Sequence, residues 1–183
     1  MAKKVDRRTV DSVFVLLGVV MTVVLLVVGA LAWKAYDFAK TSVETQLSAQ
    51  EITFPPKGSP ALAALPAADQ AAMNKYAGQQ LENGAQAKVY ADNFMAVHLS
   101  EIAGGQTYSQ VSNAAMADPT NTKLQAEKQT LFQGETLRGL LLGDGYAYWT
   151  FGQIALTAAL VTLAGAGVMA VLVLLGLRHM SRT

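Results

Sequence analysis

The chain has 183 residues, a formal net charge of +1 and no cysteine. The missing thiols exclude disulfides, cysteine nucleophiles and thiolate metal sites. The near-neutral charge leaves no basic stripe that could neutralise nucleic-acid phosphates.

Residues 1–11 form a short tail carrying Lys3, Lys4, Arg7 and Arg8. Ser12 to Trp33 then contains no charged residue and is rich in Val and Leu. At 1.5 Å per residue it would rise about 33 Å, enough for the hydrocarbon core of a bilayer. Trp33 and Tyr36 stand where an interfacial aromatic belt belongs. A cleaved signal peptide is the competing reading, with its basic start and Ala30-Leu31-Ala32 as a cleavage site. The apolar run exceeds the roughly 7–15 residues of such a segment, so a membrane anchor is predicted.

Ala35 to Gln50 lacks Gly and Pro, and Tyr36, Ala39, Val43 and Leu47 recur at helical spacing, which predicts a helical stalk. Pro55, Pro56, Gly58, Pro60 and Pro66 predict a loop. Ile52-Thr53-Phe54 is the one strand candidate. Pro66 suits the first position of a short helix reaching about Tyr76. Asn83-Gly84 reads as a turn. A helix from about Ala85 to Ala103 follows, with Ala87, Ala91, Phe94, His98 and Ile102 on one side, ended by Gly104-Gly105. Capping-box spacing at Thr107/Gln110 and at Thr122/Gln125 predicts two more helices. Asp118-Pro119 separates them, the second reaches about Leu142, and Gly143-Asp144-Gly145 is expected to be a hinge.

The second span, residues 146–177, opens with Tyr146, Tyr148, Trp149 and Phe151 and is charge-free up to Arg178. Ala155, Ala159, Thr162, Ala166 and Ala170 make a stripe of small residues on one face. Such a stripe lets another helix come close. It meets either the first span, which offers only Gly18, Thr22 and Gly29, or a different protein.

The expected architecture is an all-α membrane protein. Two transmembrane helices (12–33 and 146–177) are joined by a small helical extracytoplasmic domain (34–145), with residues 178–183 as a second tail. Residues 34–145 hold eight Lys/Arg against eleven Asp/Glu, and both tails are basic. The positive-inside rule therefore puts both termini in the cytoplasm and the middle outside the plasma membrane.

No catalytic, metal-binding or cofactor-binding constellation is expected. There is no GxSxG, no HExxH and no phosphate loop. The two histidines, His98 and His179, fall on opposite sides of the membrane in this topology, which excludes a two-histidine iron site. On its apolar stripe, His98 reads as a hydrogen-bonded packing residue. Gly134 and Gly139 interrupt one helix at about 1 kcal/mol each, so close packing is expected there. Arg138 either pairs with Glu135 along the helix or reaches a lipid headgroup.

The block Thr130–Leu142 (TLFQGETLRGLLL), followed by aromatics and an apolar span, resembles a signature of small actinobacterial proteins with two membrane helices. Gln46-Leu47 with Glu51-Ile52-Thr53, Tyr90-Ala91, His98 and Gly104-Gly105-Gln106-Thr107-Tyr108 fit the same family. Members are often labelled ring-opening dioxygenases, a label the histidine argument excludes here. The resemblance implies an accessory subunit of the respiratory supercomplex of cytochrome bcc and cytochrome oxidase.

The expected function is thus a non-catalytic accessory or scaffold subunit docking on a larger integral membrane complex, in contact with lipids. The alternative is an extracytoplasmic sensor or lipid- or ligand-binding module acting through a partner. Self-association into a pore would have only Thr22, Gln153, Thr157 and Thr162 to line it.

Overall fold

A computed structural model describes residues 6–182 of the chain. Lys3, Lys4 and the last residue, named above as parts of the tails, lie outside the described residues. The chain divides into two compact units, residues 1–38 with 152–183 and residues 39–151.

The described residues form helices almost throughout. α1 spans Arg7–Ser48, α2 Pro60–Ala63, α3 Ala67–Met73 and α4 Gly84–Tyr90. A π-helical turn, π1 (Ala91–Met95), leads into α5 (Ala96–Ile102), followed by α6 (Tyr108–Ala117) and α7 (Thr122–Leu140). A second π-helical segment, π2 (Leu141–Ala147), joins α7 to α8 (Tyr148–Met180). Two helical runs, Arg7–Ser48 and Thr122–Met180, are long and apolar enough to cross a membrane. Only 11% of the most apolar stretch of each is buried, so neither stretch is the core segment of a globular domain.

In the first unit, α1 and α8 pack through small residues. Between residues 12 and 33 of α1, Gly18 and Gly29 are buried and Val15, Thr22, Leu25 and Ala32 half-buried. Their alternating steps of three and four are the pattern of a coiled-coil seam. A Cβ on Gly18 would lie 2.7 Å from Cγ2 of Val173, and one on Gly29 would lie 2.7 Å from Leu163. On α8, Ala159 and Ala166 are buried. Of the stripe predicted on α8, Thr162 lies against Gly29, its Oγ1 2.9 Å from where a Cβ would be, and Ala155, Thr162 and Ala170 are half-buried. Thr22 and Thr162 donate to the carbonyls of Gly18 (2.7 Å) and Ala158 (2.8 Å), which satisfies their hydroxyls within their own helices.

In the second unit, the core gathers around Phe54, which is fully buried. Phe54 packs edge-on against Tyr90 at 5.3 Å and tilted against Tyr76 at 5.4 Å. Val43 and Leu47 from α1, Leu62, Met73, Leu81, Ala87 and Leu141 enclose it. A smaller cluster of Leu99, Ala103, Val111 and Leu131 joins α5, α6 and α7.

Three local readings differ in detail. Asn83 and Gly84 do not form a free turn. Asn83 caps α4 in a reciprocal box with Gln86, whose Oε1 accepts from the backbone N–H groups of Glu82 (2.8 Å) and Asn83 (3.2 Å). The Thr107/Gln110 box is present, but α7 is capped one residue earlier than expected, by Asn121 on the N–H of Leu124. The proline stretch holds the single turn α2, which tolerates Pro60 because a first-turn residue needs no N–H partner. The strand candidate contributes one antiparallel bridge, Thr53 to Gln80.

The expected hinge at Gly143-Asp144-Gly145 is absent. These residues are π-helical and helical structure continues on both sides. Gly145 serves close approach instead: a Cβ there would lie 3.0 Å from the Cβ of Ala87 on α4. Gly84 faces the same contact from the other helix, where a Cβ would meet the Trp149 side chain and the Gly145 carbonyl.

Candidate functional site

The site is set by π1. A π turn accommodates an extra residue, so the face that points inward shifts along the chain. Sequence periodicity puts Ala87, Ala91, Phe94, His98 and Ile102 on one inward side. The structure buries Ala87 before the turn and Ala91 at its first position, but Leu99 and Ala103 after it. Ile102 is exposed, and Phe94 and His98 are only half-buried.

The displaced rings form a tilted ladder. Tyr90 and Phe94 have centroids 5.1 Å apart at 41°, and Phe94 and His98 are 4.4 Å apart at 46°. This ladder lines an open groove of about 330 Å³, with Met95 and Leu99 beside it. Ile52 and Leu137 of α7 supply the remaining lining.

His98 is oriented by its own helix. Its Nδ1 lies 2.8 Å from the Phe94 carbonyl oxygen. A carbonyl can only accept, so Nδ1 carries a hydrogen, and the tautomer this selects has its acceptor at Nε2. Tyr90 is half-buried, and that burial holds its hydroxyl above the usual phenol range, so it remains a neutral phenol.

Arg138 anchors the α7 wall. Its Nε donates to the Ala91 carbonyl (3.2 Å), its Nη2 to Asp92 (3.2 Å) and its Nη1 to Glu135 (3.4 Å). Asp92 also accepts from Lys88 at 2.6 Å, and the Lys88 ammonium stands 5.0 Å from the Tyr146 ring centroid. Burial raises the Asp92 pKa, but the bonds and charges of Lys88 and Arg138 outweigh it and leave the carboxyl below its ordinary value. The bond to Asp92 in turn raises Lys88.

The sequence-predicted residues separate accordingly. Arg138 has the Glu135 partner expected of it, and also Asp92, 46 residues away. Gly134 and Gly139 do not share a contact. A Cβ on Gly134 would collide with the Leu99 side chain, whereas Gly139 has open space in front of it. The sequence reading sets a lipid or hydrophobic ligand between Phe94 and the last outer helix, and a groove lies between Phe94 and Leu137 of α7; the ring ladder that lines it was not legible. Its only sequence signal is Tyr90, Phe94 and His98 at steps of four, and a regular helix would have turned two of the three into the core. Among the described residues no group of three His, Asp or Glu is placed to hold a metal ion.

These features define an all-helical protein with two helices long and apolar enough to span a membrane and an aromatic groove on its middle unit. No known protein family matches the chain, and neither the curated proteins nor the solved structures include a significant match.

Proposed function

We propose that the protein is a non-catalytic accessory subunit of the plasma membrane, docking on a larger integral membrane complex. Both termini lie in the cytoplasm and the middle unit lies outside. The assembly that the sequence resemblance suggests is the cytochrome bcc–cytochrome oxidase supercomplex.

The outer face of α7 and π2 carries this reading. Phe132 and Leu140 are about half exposed there, and among the described residues a Cβ on Gly139 or Gly143 would meet open space beyond its own stretch of helix. A helical glycine costs about 1 kcal/mol against alanine. Nothing inside this chain offsets that cost at Gly139, and a partner backbone seated against it would. Crosslinking in native membranes, followed by mild-detergent purification of a tagged copy, tests the reading. Reproducible recovery with one membrane assembly supports it; recovery of the crosslinked protein alone overturns it.

The groove favours a second reading, an extracytoplasmic ligand-binding module that acts through a partner. Its lining is apolar with an ordered aromatic wall, the usual make-up of a small-molecule site.

A further inference from the structure

We infer that the groove beside π1 binds a flat, mainly apolar molecule carrying one hydroxyl group, which donates to Nε2 of His98. The inference rests on the ligand-binding reading above and adds the chemical class.

The volume, about 330 Å³, falls at the lower end of small-molecule sites and suits one or two fused rings. The wall of Tyr90, Phe94 and His98 presents ring faces and edges, which favour offset stacking with another ring over contact with a branched chain. Leu137 supplies an aliphatic surface from α7. Two side chains of the lining bear polar atoms. The Tyr90 hydroxyl donates or accepts and so selects nothing. Nε2 of His98 is different: the Phe94 carbonyl holds a hydrogen on Nδ1, which selects the tautomer whose Nε2 accepts. A ligand with a donor gains a hydrogen bond there, and the isosteric hydrocarbon gains none.

The groove is also held in place. Arg138 adjoins Leu137 in sequence and is bonded to the Ala91 carbonyl and to Asp92 on π1. The α7 wall and the π1 wall are thereby tied at one edge, so little ordering is left for the ligand to bring about.

The test uses the full chain in phospholipid nanodiscs with ¹⁵N-labelled histidine. 1-Naphthol and naphthalene are titrated separately, and the imidazole nitrogen shifts are followed beside the methyl shifts of Leu99 and Leu137. The expected result is saturable binding of naphthol about tenfold tighter than naphthalene, the yield of one hydrogen bond, with the Nε2 resonance moving only for naphthol. His98→Phe keeps a ring in the ladder and removes the acceptor, so it should bring the two affinities together. Leu137→Trp fills the groove and should abolish both responses. If that variant does not fold, the His98→Phe comparison decides. Equal affinity of both probes for the wild-type chain overturns the hydroxyl class and leaves the ligand-binding reading standing. No saturable response to either probe overturns both.

Discussion

Arg138 on α7 reaches Asp92 on π1 across 46 residues of chain, with Nη2 3.2 Å from Oδ1. The same guanidinium donates through Nε to the Ala91 carbonyl. One side chain thus clasps the π turn that aims Phe94 and His98 into the groove. Arg138→Leu should lower stability by about 1–2 kcal/mol, most of it from the carbonyl and Asp92 bonds. Thermal melting of both chains in the same nanodiscs measures this. Arg138→Lys should restore only part, because a single ammonium cannot serve both acceptors in fork geometry.

The Asp92 pair also sets a pH dependence. The folded-state pKa of Asp92 lies below its ordinary value near 3.8. Its contribution to stability is therefore complete above that value and is lost as pH falls through the lower folded value. Lys88 has the opposite sign: its contribution is complete below the ordinary lysine value near 10.5 and is lost as pH rises through the raised one. Between those limits the pair should be insensitive to pH. Asp92→Asn should flatten the acid limb of a melting-temperature profile, and an unchanged limb would show that other carboxylates govern it.

Two glycines on one helix should respond oppositely. Gly134→Ala pushes a methyl into Leu99 and should cost about 1–3 kcal/mol through overpacking. Gly139→Ala meets open space and should stabilise the isolated protein by about 0.5–1 kcal/mol through helix propensity. If the proposed partner seats on this face, a bulkier Gly139→Leu should abolish co-purification while the fold survives, as circular dichroism would report.

Gln86 is 5% exposed, the one buried polar residue among the described ones. Besides capping α4 it donates to Gln79 Oε1 at 3.2 Å. Gln86→Leu would strand the N–H groups of Glu82 and Asn83 and should cost about 2–3 kcal/mol. Chemical denaturation would measure it; a loss under 0.5 kcal/mol would mean that water replaces the amide freely.

Between α1 and α8, Gly29→Leu would drive a branched side chain into Leu163 and Thr162. Helix pairs in lipid lack a hydrophobic drive toward each other, so close contact at small residues carries the association. The substituted chain should lose protection from limited proteolysis within residues 7–38 and 152–180, whereas Val20→Leu, on an exposed face, should not.

The sequence alone determined the helices and the two long apolar runs. Charge-free length, proline positions and the Thr107/Gln110 box act within a few residues of chain, so they can be read locally. Small residues were legible as a stripe, since helical spacing shows which of them share a face. The tertiary structure alone decided what each face meets. Gly18 and Gly29 received Val173 and Leu163, Arg138 found Asp92, and Gly145 became a contact with Ala87 where a hinge was expected. It also decided the groove: an inserted π turn shifts every later residue around the helix axis, and that turn is bonded to Asp69 of α3 and to Arg138 of α7, partners that no local pattern between Ala85 and Ala103 encodes.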